Sequence, residues 1–177
     1  MTRRIALVVC FIMLFFPSKL GTPDILKHAF PVSDRLNLQH DQRIVAQQIE
    51  SRLRKHRISE GIIMGAIVNA YAESRLNPLA VGPGNTRGVF QLLPGGLGHD
   101  MTIGQMHDVN ASADRIAMAV KKNRKMMLAG KSDTDLENIT RAFCIEIERP
   151  KNESLRANER AALFRKLTKK KSKSLQK

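Results

Sequence analysis

The chain has no tryptophan, one tyrosine and only two cysteines among its 177 residues. Two cysteines exclude a disulfide-built scaffold, and no Cys/His cluster has the spacing of a zinc site. No apolar run reaches the ~20 residues of a full membrane span, which excludes a polytopic membrane protein. Acidic residues are also scarce: 16 Asp+Glu stand against 30 Lys+Arg, for a formal charge of +14. What is present is enough apolar material for one core (42% hydrophobic residues) in a length that fits a single domain with short appendages. A basic unit of this kind seeks a polyanion, an anionic membrane or an acidic wall polymer.

The charge is unevenly placed. Residues 1–19 contribute +3 and residues 156–177 contribute +8, which leaves only +3 for the 136 residues between. The first segment, taken as residues 1–20, has Arg3 and Arg4 followed by an apolar run from Ile5 to Phe16 and then Pro17. This is the layout of a secretory signal. Pro17, Ser18, Lys19 and Leu20 offer no clear small residues for a peptidase, so an uncleaved membrane anchor stays open, as does a buried N-terminal element. The last segment, 166–177, carries Lys169, Lys170, Lys171 and Lys173 without an aromatic residue. Such a block reads as a solvated, disordered tail that adheres to an anionic wall polymer or membrane surface; no specific nucleic-acid binding is expected. Cys144 is the sole cysteine outside the apolar run, so no disulfide is expected.

Between these ends, residues 36–165 read as one mainly α domain. Val45, Ile49 and Leu53 recur at helical spacing. Ser59 is placed to cap a second helix through Ile62, Ile63, Ala66, Ile67, Ala70 and Tyr71, ended by Asn77-Pro78. A third helix is predicted over about 110–128, with Ile116, Val120 and Met127 inward and Gly130 as its stop. A fourth opens at the capping-box pattern Thr134-Asp-Leu-Glu137 and runs to Pro150, and a fifth begins near Asn152. The one irregular window is Asn77 to Asp100, with six glycines and three prolines. It reads as a Gly-rich loop or short β-hairpin, and long loops in compact helical domains usually serve a function.

That loop follows Glu73. On the second helix, Ile62, Ala66, Asn69 and Ala70 fall within about 60° of Glu73 around the axis, so Glu73 ends an otherwise apolar stripe. The positions three and four away are Asn69, Ala70, Leu76 and Asn77, and none supplies a basic partner. A carboxylate on an apolar face at a helix C-terminus is disfavoured in its charged form on both counts. This is the setting of a general acid. The plainer reading is a partly exposed glutamate bonded by the loop amides.

The local motif favours the first reading. Residues 73–80, Glu-Ser-Arg-Leu-Asn-Pro-Leu-Ala, are followed by Gly88-Val-Phe-Gln91, and Phe143 precedes Glu148-Arg149-Pro150. Over roughly 58–150 the chain resembles the lysozyme-like peptidoglycan hydrolases, nearest to phage tail lysozymes and similar also to lytic transglycosylases and goose-type lysozymes. The resemblance implies a lysozyme-like fold in which Glu73 protonates the β-1,4 bond between N-acetylmuramic acid and N-acetylglucosamine. It implies further that Gln91 lines the cleft and bonds the sugar, that Thr86 holds the loop or substrate, and that Gly88 admits the glycan to the backbone. Tyr71 packs either beneath the site or in the core. A second carboxylate, needed for hydrolysis, is sought among Glu148, Asp100 and Asp108; without one, closure to an anhydro sugar is the better mechanism. No Ala-Tyr-Asn triplet follows, a departure from the transglycosylase pattern.

No metal and no cofactor are expected, because the pairs His99-Asp100 and His107-Asp108 lie eight residues apart, a spacing with no standard ligand geometry. The methionines read as core filler. The reading that results is a peptidoglycan-cleaving enzyme, secreted, periplasmic or anchored by its N-terminus, or carried in a virion. Two others compete with it: a non-catalytic wall- or glycan-binding module of lysozyme shape, and a basic nucleic-acid- or membrane-binding protein.

Overall fold

The computed structural model describes residues 31–130 and 135–169; the expected signal or anchor at 1–20 and the lysines beyond 169 lie outside the described residues. The helices are α1 (His40–Lys55), α2 (Glu60–Ser74), α3 (Ile103–His107), α4 (Val109–Lys122), α5 (Arg124–Ala129), α6 (Leu136–Phe143) and α7 (Glu153–Thr168). A five-residue π-helical turn, Cys144–Glu148, continues α6. No β-strand forms among the described residues, and no described helix is long and apolar enough to cross a membrane. The domain is mainly α, as its sequence predicts.

The centre of the fold is α2. Every residue from Gly61 to Ala70 is buried, and a helix apolar on all sides belongs in an interior. Its neighbours are α1, α6 and α7, of which α6 packs against it most extensively. Gly65 explains that closeness. A Cβ there would stand 3.4 Å from the Thr140 backbone and 3.5 Å from Phe143 Cβ. Asn69, fully buried, also spans the contact by donating to the carbonyls of Gly65 (2.7 Å) and Thr140 (3.3 Å). The core extends from Val32 to Leu167, and Glu50 secures its leading edge by accepting the Val32 and Ser33 amides at 2.8 and 2.9 Å.

Several helix limits differ from those read in the sequence. The stretch expected as one helix over 110–128 is two, because Asn123 caps α4 and its side chain accepts from the Met126 amide at the start of α5. Met127 packs partly buried against the core as expected, and Met126 beside it is fully buried. Thr134, the expected cap of the fourth helix, lies outside the described residues, and Asp135 caps α6 through the Asn138 amide. α2 ends at Ser74, three residues before Asn77-Pro78, since Arg75 and Leu76 both take left-handed backbone angles (φ 58° and 62°). Pro78 marks the turn beyond the helix: its carbonyl meets His107 Nδ1 at 2.7 Å, while Asn77 Oδ1 accepts the Leu79 amide at 2.9 Å.

The window from Pro78 to Asp100 holds turns, a short 3-10 turn (Pro83–Asn85) and two isolated antiparallel bridges, Val81 with Arg87 and Arg87 with Leu92. Those bridges do not extend into strands. Backbone bonds within the turns, such as the Gly88 amide to the Ala80 carbonyl at 2.9 Å, and side-chain bonds carry the rest of the order in this segment.

Candidate active site

The end of α2 and the loop after it are fastened together by the residue next to Glu73. Ser74 Oγ lies 2.8 Å from the Val89 carbonyl and 3.1 Å from the Ala70 carbonyl, so the Gly88–Gln91 stretch is held beside Glu73. Gly88 has φ 75°, and a Cβ on it would fall 1.9 Å from the Met106 carbonyl. Only glycine fits this close crossing of loop and α3. The crowding at Gly88 is thus with the protein's own backbone.

Gln91 lines the cleft, but its amide is engaged inside the loop. Nε2 donates to the carbonyls of Gly88 (3.0 Å) and Ala80 (3.3 Å), and Oε1 accepts from Thr86 Oγ1 at 2.8 Å. Thr86 and Gln91 therefore form one clasp across the loop. Tyr71 is half-buried against the core, with the Arg75 guanidinium 4.9 Å from its ring centre.

Opposite this loop, the chain after α6 carries Glu148. The π-helical turn ends there because Arg149 adopts a left-handed conformation, with its amide bonded to the Cys144 carbonyl, and Pro150 cannot continue a helix. π-helical turns often occur at functional sites. From α7 comes Arg160, buried, whose Nη2 donates to Glu73 Oε1 and reaches Glu148 Oε2 at 3.4 Å. Its Nε donates to Asn69 Oδ1 at 3.0 Å. The expectation that Glu73 has no basic partner is corrected here: the partner comes from 87 residues away in sequence, beyond the reach of helical spacing. Glu148 pairs with the same Arg160.

The two carboxyl groups differ in environment. The side chain of Glu73 is 31% exposed and that of Glu148 is 15% exposed. Burial is the main force pushing the Glu148 carboxyl up to about 7; the nearby Glu73 charge adds to it, while Arg160 opposes it. The Cys144 thiol beside Glu148 is pushed up to about 12, chiefly by burial, and stays a neutral neighbour.

These groups stand in the wall of a cleft of about 850 Å³, lined largely by apolar side chains including Phe90, Leu92, Leu97 and Phe143, with Glu73, Gln91 and Glu148 at a polar margin that also carries Lys122, Arg124, Lys125 and Arg149. The structure brings those three together. Asp100 lies elsewhere, exposed and paired to His99 at 2.6 Å, and Asp108 caps α4 through the Ala111 amide. No group of three or more metal-ligating side chains occurs among the described residues.

Sequence reasoning missed Arg160, Asn69 and Ser74. Arg160 had a signal. Ala157, Ala161, Phe164 and Leu167 form one face of α7, and Arg160 stands within that face. A cation on an apolar stripe needs a buried partner.

A family model of phage tail lysozymes matches residues 45–171, most of the chain and all of the cleft. No curated protein and no solved structure matches it. The helical fold, the cleft with its polar margin and the extent of the match agree, and the chain belongs to the phage tail lysozyme family of lysozyme-like peptidoglycan hydrolases.

Proposed function

We propose that the protein cleaves the β-1,4 bond between N-acetylmuramic acid and N-acetylglucosamine, with Glu73 as the general acid and Glu148 as the second carboxyl. The observation that carries this reading is the convergence of Glu73 and Glu148 on one guanidinium, Arg160, at the margin of a single cleft. Cleavage of a glycosidic bond needs a proton for the leaving oxygen and a negative charge, or an activated water, for the oxocarbenium-like transition state. Glu73, the more exposed of the two, gives its proton to the bridging oxygen. Glu148, in its ionised form, faces the positive charge that develops on the sugar. Arg160 ties both to the rigid Asn69 of α2, which limits reorganisation during the reaction. The Thr86–Gln91 clasp fixes the shape of the opposing loop, and Gly88 permits its close seating on α3.

One observation favours a second assignment. Glu148 is the carboxyl that burial raises to about 7, the setting of a general acid at neutral pH, and in that case the two residues exchange roles. Both assignments require Glu73.

The N-terminal segment and the basic tail are proposed to deliver the enzyme to the wall: the first as signal or anchor, the second by adhesion to anionic polymers or lipid. Action from a virion suits the same chemistry. Mass spectrometry of fragments released from purified peptidoglycan tests the proposal. Reducing muramic acid ends are the expected products of water attack, and 1,6-anhydro ends would assign intramolecular closure instead. Binding to peptidoglycan without any released fragment would replace the enzyme with a wall-binding module.

A further inference from the structure

Glu73 borders two clefts. The second, of about 490 Å³, meets the first at Glu73 and Pro150 and is walled by Ala72, Lys151, Asn152, Arg156 and Arg160. The first cleft sets four cations, Lys122, Arg124, Lys125 and Arg149, against three acids, Glu73, Glu146 and Glu148. The second sets three cations against Glu73 as its lone acid and lacks the broad apolar lining of the first. Arg160 is engaged by Glu73 and Glu148, and Arg156 by Glu159 at 2.9 Å near its exposed end. Lys151 is exposed and forms no ion pair with a described residue. The cleft therefore keeps a net positive lining after its internal pairs are counted, in a domain whose middle is nearly neutral.

Peptidoglycan is branched at the muramic acid, on the sugar adjoining the bond to be cut, and its peptide branch carries free carboxylates. The second cleft opens beside Glu73, the carboxyl assigned above to protonate that bond, so it lies within reach of a branch on the adjoining sugar. Resting on the cleavage proposed above, we propose that the Lys151–Arg156 cleft receives the carboxylate-bearing peptide branch of the substrate and selects peptide-substituted glycan over neutral strands. Lys151 and Arg156 contact the carboxylates, and Asn152, at the α7 N-cap without a side-chain capping bond, supplies an amide to the peptide. Attraction of this kind acts chiefly on binding and so on KM.

The test compares two substrates with the full chain. One is purified peptidoglycan strands with native peptides; the other is the same strands with their carboxylates converted to neutral amides. The wild type is expected to favour the native strands roughly fivefold in kcat/KM, as two exposed charge pairs allow. The basic tail also attracts anionic strands, so the decisive arm is the Lys151→Ala/Arg156→Ala variant. Its preference is expected to fall several-fold through KM, and the Lys151→Glu/Arg156→Glu variant is expected to favour the amidated strands. A double variant that retains the wild-type preference overturns the proposal. Titration calorimetry with a soluble muropeptide and its amidated form keeps the two readings apart. Should the wild type cut neither substrate, the cleavage reading fails, yet tighter binding of the native muropeptide that depends on Lys151 and Arg156 still upholds the basic cleft. Equal binding of both forms sinks it.

Discussion

Arg160 is the residue on which the site depends, because it is a buried cation with three side-chain acceptors, Glu73, Glu148 and Asn69. Replacing it with methionine keeps the volume and strands two carboxyls and an amide. Arg160→Met is expected to lower the unfolding free energy by roughly 3 kcal/mol, as for other broken buried pairs, and to shift the urea midpoint accordingly. Cleavage should fall with it even where the variant is fully folded. The roles of the two carboxyls are separable by pH. If Glu148 acts ionised, kcat/KM rises through about pH 7 and Glu148→Gln removes that limb; if it is the acid, kcat/KM falls through the same value.

At the scale of elements, the loop after α2 is built from close contacts and not from strand pairing. Gly88→Ala puts a Cβ against the Met106 carbonyl at a positive φ, so it should destabilise by more than the ~1 kcal/mol of an ordinary strained turn and raise the exchange rates of the Val89–Leu92 amides. Hydrogen exchange read by mass spectrometry checks this. The element scale also shows what the sequence conveys. The periodicity of α1 and α2, the Gly130 stop and the Glu73–Gln91 loop are written in local patterns, because helical spacing and turn chemistry act over a few residues. Glu148 was reachable through its Glu-Arg-Pro context. The pairing of Glu73 was not, because Arg160 lies 87 residues away and only the packing of α7 on α2 unites them. The early end of α2 was hidden for a related reason. Arg75 and Leu76 accept left-handed angles that their residue types disfavour, while Ser74 gains a bond to Val89 across the turn.

For the whole molecule, charge and burial set an acid-shifted stability profile. Between about pH 4.5 and 7 the native state holds a proton on Glu148 that the unfolded chain has released, so unfolding free energy falls as pH rises through that window, by roughly 3 kcal/mol at most, and is flat above it. Asp114 acts in the other direction. Its bidentate bonds from Arg52 hold its carboxyl below the usual range, with burial opposing and His56 assisting, so its contribution is lost as pH falls below about 4. Stability should therefore peak near pH 5, and thermal melts across pH 3–9 check it; in Glu148→Gln the decline toward neutrality should flatten. Of the 16 acids, Glu50, Asp114, Glu148 and Glu73 are each engaged by a described partner.

The proposed mechanism requires Glu73 for cleavage. The most direct measurement is the rate of fragment release from purified peptidoglycan by the wild type and by Glu73→Gln, with matching circular dichroism melts to establish that both are folded. That mechanism gives release by the wild type and a loss of at least about a hundredfold in the variant, as expected when a group acting on the transition state is removed. Equal release by the two folded proteins would contradict it.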